Sequence, residues 1–367
     1  MKNVLICLSS FSRGNGIAKF IMNYYDSLIK NNYSVDFLLV HNGISDKKYL
    51  EKIKENNGQI FYIPLGNIKI RVKRTQSEMK KILDSKKYDI VHVNLVDLYA
   101  YGCISIAKKN NINKIVYHVH NPYTIGKLLF LRDILNYLCI KNSTDLVACT
   151  KHAGNSMFHN RQFNVIRNAV YFENYKYNEN DRINLRKTLN LEEKFIVGAV
   201  GRLNEQKNPL FALKIFKEIK HKKRDAHFIW VGVGELKEKL LKYSKKNNLE
   251  DNITFLENRE DINKLYSAFD IFLLPSKYEG LGIVFLEAEC NGLPIYTSTK
   301  VPIEIKKCDL VHFISLKNTY KDWAKKILDS YYKNNDRNKY FDILKDSDYD
   351  FEKNKNALIN LYESEEK

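Results

Sequence analysis

Short apolar runs recur along the first half of the chain, at residues 4–8, 35–40, 60–63, 89–96, 114–120, 145–150 and 164–167. Polar, Lys-rich stretches of helical length lie between them. Runs of Val, Ile and Leu without polar alternation mark strands buried on both faces. That requires a parallel sheet with helices covering each side. The beat breaks at residues 171–194, where the chain turns charged and rich in Tyr and Asn. It resumes at 195–201, 227–232, 253–256, 270–275, 294–298 and 309–315, and from residue 322 onward the pattern reads as helices. The expected architecture is α/β: two doubly wound parallel-sheet domains facing a cleft. Residues 1–175 form the first, 190–345 the second, and a helix within 346–367 packs back on the first. In open parallel sheets ligands sit beyond the carboxyl ends of the strands, so the loops after each strand are where chemistry is sought.

Length and composition agree with two globular cores: 367 residues, of which 44% are apolar. The net charge of +17 is uneven. Residues 1–180 carry 26 basic side chains against 13 acidic, and the remainder 34 against 30. A basic first half calls for an anionic partner or serves solubility. Its densest part is residues 69–74, where Lys69, Arg71, Lys73 and Arg74 interleave with Ile70 and Val72; Lys80, Lys81, Lys86 and Lys87 follow. This run is a candidate for contact with an anionic membrane surface. A nucleic-acid partner is not expected, because no recognised binding motif or arginine-aromatic cluster accompanies the charge. The six cysteines show no metal or disulfide spacing and read as buried reduced thiols. Residues 1–10 lack a basic lead and a signal-length core, and the apolar stretch 128–140 contains Arg132 and Asp133 and is too short to span a bilayer. A cytoplasmic chain is expected, with peripheral contact at the inner face of the plasma membrane.

The most informative stretch is residues 275–294. An apolar strand leads into Glu279, Gly280, Leu281, Gly282 and Ile283, and Glu287 follows on a helix expected to start near Leu281. A buried strand accounts for the apolar run but not for an acidic turn between glycines. Helix N–H groups and two carboxylates there suit phosphate and diol groups of one ligand. A second strand ends at Gly201, with Arg202 and Lys207 in its loop and Pro209 suited to the first turn of the next helix. Two cations beside a helix amino terminus fit a diphosphate, although two solvated surface cations would look the same. Gly232 and Gly234 mark a loop whose backbone approaches something closely. Arg259 lies in a further strand-end loop. In the first half, Asn15 and Gly16 make a flexible turn after the first strand. His118 and His120 fall on one side of another strand by alternation. Two histidines are too few for a zinc site, so no metal is expected; a buried, hydrogen-bonded histidine is the plain alternative for either.

These motifs together resemble the GT-B glycosyltransferases of glycosyltransferase family 4, retaining nucleotide-sugar enzymes, and most of all those of bacterial capsule and exopolysaccharide clusters. The resemblance spans essentially the whole chain. It rests on Asn15-Gly16, His120-Asn121, Cys149-Thr150, Asn168-Ala169-Val170, Gly201-Arg202 with Lys207-Asn208, and the pair Glu279 and Glu287. It implies two Rossmann-like domains and transfer of a sugar from a nucleotide sugar, by expectation a UDP-sugar, to a glycan or lipid-linked acceptor hydroxyl. The donor is a substrate, and no cofactor is implied. Arg202 and Lys207 would neutralise the diphosphate, Glu279 would hold the donor sugar and His120 would face it. Gly16, Gly232, Gly234, Arg259, Gly280, Leu281, Gly282, Ile283 and Glu287 would complete the binding set, with Glu287 on the ribose. The sequence departs from the family at Asn15, Val233, Asn258 and Gly282, which bear on donor detail. A nucleotide-sugar epimerase of the same fold is the alternative. A catalytically silent partner subunit is disfavoured by the intact charged residues.

Overall fold

The computed structural model describes residues 1–11, 16–40, 47–63, 70–121, 129–257, 259–331 and 336–364, with backbone alone at 129 and 130. Of the residues singled out above, Asn15, Lys69 and Asn258 lie outside the described set. The chain divides into two compact units. Unit 1 comprises residues 1–169 and 353–367, and unit 2 residues 170–352.

Unit 1 alternates strand and helix: β1 (Lys2–Leu8), α1 (Gly16–Lys30), β2 (Tyr33–Leu39), α2 (Lys47–Glu55), β3 (Ile60–Tyr62), α3 (Arg71–Ser85), β4 (Ile90–Val93), α4 (Asp97–Lys109), β5 (Lys114–Val119), α5 (Leu129–Asn142), β6 (Asp145–Ala148), α6 (Lys151–Phe158) and β7 (Asn164–Val165). The sheet is parallel, in the order β3-β2-β1-β4-β5-β6-β7. Residues 4–8 of β1 and all of β4 and β5 are buried, as strands covered on both faces must be. The order turns between β1 and β4, the place where a doubly wound sheet opens a crevice. Helix α6 starts where the Thr150 hydroxyl accepts from the Ala153 N–H at 3.0 Å.

Unit 2 repeats the plan with α7 (Glu179–Thr188), β8 (Phe195–Val200), α8 (Pro209–Lys222), β9 (Ala226–Val231), α9 (Lys237–Lys246), β10 (Ile253–Leu256), α10 (Ile262–Ala268), β11 (Ile271–Leu274), α11 (Ile283–Cys290), β12 (Ile295–Ser298), β13 (Val311–Ile314), α12 (Tyr320–Ser330) and α13 (Lys339–Asp346). Its parallel sheet runs β10-β9-β8-β11-β12-β13, turning between β8 and β11. The expected doubly wound α/β class therefore holds in both halves. Pro209 opens α8, where its missing N–H costs nothing. A reciprocal pair of hydrogen bonds between Thr319 and Asp322 caps α12.

Two short helices end the chain, α14 (Phe351–Asn354) and α15 (Ala357–Glu363). Residues 353–367 belong to unit 1. Lys114, buried at the start of β5, donates to the carbonyls of Leu361 at 2.6 Å and Ser364 at 2.5 Å, and to the Ser364 hydroxyl at 3.0 Å. A buried ammonium needs such partners, because desolvation of an unpaired charge is prohibitive. Among the described residues, no helix is long and apolar enough to cross a membrane. Five cysteines are free and buried, and Cys308 is half-buried and free.

Candidate functional site

In unit 2, the loops after β8 and β11 are stitched together at the switch point. Lys277 N–H donates to the Gln206 carbonyl at 2.8 Å and the Asn208 carboxamide to the Pro275 carbonyl at 3.2 Å. At the centre, Lys207 Nζ lies 2.7 and 2.8 Å from the two oxygens of Glu279. The Ser276 hydroxyl donates to the same carboxylate at 2.6 Å, and Gln206 Nε2 at 3.3 Å. Glu279 is only 4% exposed and Lys207 14%. The sequence assigned the cation to phosphate and the carboxylate to a sugar. The structure joins the two in one ion pair. An ammonium has three N–H groups, so a phosphate at Lys207 shares it with Glu279. Arg202, by contrast, is exposed on the same loop.

Gly282 caps α11 in the left-handed region, at φ +79°, and an added Cβ there would meet the Phe285 ring at 2.7 Å. That conformation selects glycine. It starts the helix at Ile283, two residues later than the sequence pattern indicated, because a residue at positive φ cannot continue a right-handed helix. Leu281 and Gly280 are buried, and Ile283 is half-buried. The Leu281 side chain sits in the core, which leaves only its backbone for a ligand. Glu287, on the second turn of α11, is 2% exposed and accepts from the Tyr266 hydroxyl at 2.7 Å. Burial, then the Glu287 charge, holds the Tyr266 phenol well above its ordinary pKa. Arg337, also buried, donates to the backbone carbonyls of Asn291, Phe269 and Tyr266 at 2.8, 3.0 and 3.1 Å. It ties the end of α11 to α10, and so fixes Glu287 against Tyr266.

The other expected binding residues have structural reasons of their own. An added Cβ at Gly232 would lie 2.2 Å from the Gly201 carbonyl oxygen, and at Gly234 2.4 Å from that of Leu203. These glycines let the β9 loop close onto the β8 loop; that is the close approach that the sequence signalled. Arg259 is held in a bidentate pair with Asp261 at 2.7 and 2.6 Å. Gly16 is the exposed first residue of α1, and an added Cβ there would meet nothing within 4 Å.

Two residues beyond Glu287, Glu289 is fully buried and accepts from the N–H groups of Lys307 and Cys308 and from the Cys308 thiol, each at 3.0 Å on Oε1. Burial outweighs these donors and raises its pKa to about 7. A carboxyl whose folded pKa lies above its unfolded value binds its proton more tightly when folded. The contribution of Glu289 to stability is therefore fully present below the unfolded value of 4.5 and is lost as pH climbs through about 7. The loss amounts to roughly 3 kcal/mol. Glu289→Gln is expected to remove this contribution, so in denaturant titrations its stability relative to wild type should rise by about that amount between pH 4.5 and 7; a difference that stays constant with pH would show that Glu289 does not titrate there.

In unit 1 the described part of the candidate site lies at the ends of β4 and β5. His118 and His120 do share a face: their rings stack with centroids 4.2 Å apart. Phe20 of α1 packs edge-on against both at 5.2 Å. His120 Nε2 is 2.8 Å from Asn94 Oδ1. His92, on β4, stands 3.1 Å from His118 through Nε2 and 2.7 Å from the Tyr362 hydroxyl through Nδ1. Burial lowers the pKa of His92 and His120 to about 3 and that of His118 well below its ordinary value, so all three rings are neutral at physiological pH. The Asn168 carboxamide beside His120 opposes the shift without reversing it. His92, Asn94 and Tyr362 were missed by sequence reasoning. The first two carried a signal, a His-x-Asn step on β4 beside the His-x-His step on β5. Tyr362, 270 residues from His92, carried none. Among the described residues no group of three or more His, Cys, Asp or Glu side chains is arranged to hold a metal ion.

Residues 181–342 match the family described as Glycosyl transferases group 1. The chain is 28% identical to the putative glycosyltransferase EpsF of Bacillus subtilis, over 98% of its own length and 96% of that protein's. It is 27% identical to an Escherichia coli UDP-Gal:alpha-D-GlcNAc-diphosphoundecaprenol alpha-1,3-galactosyltransferase, over 77% of this chain and 76% of that one. In fold it is similar to HepE of Anabaena, solved with UDP and glucose, with a TM-score of 0.80 at 16% identity and full coverage of both chains. It is also similar to WaaG, a glycosyltransferase involved in lipopolysaccharide biosynthesis, with a TM-score of 0.77 at 16% identity, covering 99% of this chain and 100% of that one.

Proposed function

We propose, from the match of residues 181–342 to the glycosyl transferases group 1 family, that this chain is a retaining glycosyltransferase. It would move a sugar from a UDP-sugar to a hydroxyl of a glycan or lipid-linked acceptor in bacterial surface polysaccharide synthesis. The observation that carries the reading is the knot of Lys207, Glu279, Ser276 and Gln206 at the switch point of unit 2, beside the start of α11. Charge fixed before the reaction costs no reorganisation when the leaving group develops its own. In this reading Arg202 and Lys207 face the diphosphate, the first N–H groups of α11 add their partial positive charge, and Glu287 takes the ribose hydroxyls. The bond from the sugar's anomeric carbon to the phosphate oxygen breaks as the acceptor oxygen arrives on the same face. The departing phosphate oxygen takes the acceptor's proton. Protein cations and helix N–H groups supply the neutralising charge, so the reading requires no metal.

The relatives named for surface polysaccharide work, one with a diphosphoundecaprenol acceptor in its name, support the acceptor class. Thermal-shift screening against UDP-, GDP- and ADP-sugars tests the donor, since a ligand that binds only the folded chain raises the midpoint. A rise with UDP-sugars alone is expected. The anomeric configuration of the product, read by NMR, tests retention; an inverted product or a free epimerised nucleotide sugar would refute it.

The same reading places unit 1 at an anionic membrane surface. Among the described cations near α3, Lys80 pairs with Asp84, Lys81 with Glu78 and Lys86 with Asp36, while Arg71 stacks over the Tyr99 ring. Leu131, Ile134 and Tyr137, all exposed on α5, add an apolar stripe. Salt-sensitive binding to anionic vesicles is expected, and equal binding to neutral vesicles would count against the basic surface.

A further inference from the structure

The two links of the row Tyr362–His92–His118 share one direction of donation. A neutral imidazole carries one N–H and one lone pair, so the role of one nitrogen fixes the role of the other. The contact between Tyr362 Oη and His92 Nδ1 is 2.7 Å, the length of a bond donated by a hydroxyl. The contact between His92 Nε2 and His118 Nδ1 is 3.1 Å, the length expected when an N–H donates. The phenol is also the stronger donor and the imidazole nitrogen the stronger acceptor. Tyr362 therefore donates to His92 Nδ1, His92 donates from Nε2 to His118 Nδ1, and the His118 proton sits on Nε2. That atom is buried and has no partner among the described residues, and neither has Asn94 Nδ2. An unmet buried donor carries the full desolvation penalty of its group. It persists where something else supplies its partner, and ligand sites are one such place.

We propose that Tyr362 and His92 are positioning residues that hold His118 in the Nε2–H tautomer, so that the C-terminal helix α15 arms a neutral hydrogen-bond donor beside His120 for an oxygen of the bound sugar substrate. The proposal rests on the glycosyl-transfer reading for the identity of the ligand, but not for the tautomer. The set of unpartnered atoms is uncharged, and such atoms suit hydroxyl groups rather than phosphate. Ring neutrality follows from burial, which disfavours the imidazolium at all three positions. The Phe20 ring against both histidines holds them in place.

The test uses the full chain labelled with 15N-histidine. In the free wild-type protein the His118 ring is expected as a single tautomer with the proton on Nε2. In Tyr362→Phe, which keeps the ring and removes the hydroxyl, the His118 nitrogen shifts are expected to move toward a mixture. An unchanged His118 tautomer in this variant overturns the relay. Under saturating donor, Tyr362→Phe is expected to lower kcat about 10-fold with the donor KM within twofold; a tautomer change with unaltered kcat would remove His118 from the reaction. His92→Leu breaks the chain and is expected to match that loss. His92→Gln can accept from Tyr362 through its oxygen and donate to His118 through its nitrogen, and is expected to recover most of it. Equal loss in both His92 variants would overturn the directional explanation, and it keeps the test decisive should Tyr362→Phe fold poorly. Absence of glycosyl transfer by the wild type with every donor would refute the proposed function while leaving the tautomer result to stand by itself.

Discussion

Lys207→Ala is expected to lower kcat by about 10²–10³-fold, the usual consequence of deleting one fixed charge that faces a developing anion. The same substitution strips Glu279 of its counter-charge. That carboxylate is 4% exposed, so it is left with the hydroxyl of Ser276 and the carboxamide of Gln206 alone. Breaking a buried pair from one side costs about 3–5 kcal/mol, so the thermal midpoint should fall as well. The two effects separate in the double variant Lys207→Ala/Glu279→Ala. Its midpoint should recover part of the loss, because no orphan charge remains, while its turnover should not. A Lys207→Ala enzyme within threefold of wild type would remove Lys207 from the leaving-group role.

Glu287→Ala is the second large effect. A hydrogen bond to a charged group contributes about 1.5–3 kcal/mol, and a ribose offers two hydroxyls to one carboxylate. The expected loss in kcat/KM is at least about 100-fold, most of it in donor KM. Tyr266→Phe is the control. It removes the 2.7 Å tether to Glu287 but leaves the carboxylate on α11, and Arg337 still ties α11 to α10. A few-fold loss is expected there, measured as initial rates over a donor series. If Tyr266→Phe and Glu287→Ala fall equally, Glu287 acts through the phenol rather than through the donor.

The strands were plain in the sequence because a parallel sheet covered on both faces leaves uninterrupted apolar runs, and all thirteen appear within a few residues of the expected positions. Their ends were less plain. The run 89–96 yields only Ile90–Val93; the Asn94 N–H still donates to the Cys7 carbonyl at 2.8 Å, while its side chain meets His120. The start of α11 was placed two residues early, since a glycine cap at positive φ looks in sequence like an ordinary turn. The charged residues of unit 2 were legible as a set but not as partners. Lys207 and Glu279 lie 72 residues apart, and only the register of β8 beside β11 brings their loops together. The Gly232 and Gly234 signal was read correctly as close backbone approach, but the backbone approached is the chain's own.

Because unit 1 is closed by residues 353–364 and unit 2 lies between its two parts, folding during synthesis has an enforced order. Residues 1–169 leave the ribosome with Lys114 and His92 still lacking the carbonyls and hydroxyl of the tail. At about 5–20 residues per second, the wait until Tyr362 emerges is about 10–40 s. Throughout that interval unit 2 can complete its own core, while unit 1 still lacks the tail's contacts with Lys114 and His92. A release just short of residue 362 would yield a finished second unit attached to a first that lacks the Tyr362 contact with His92.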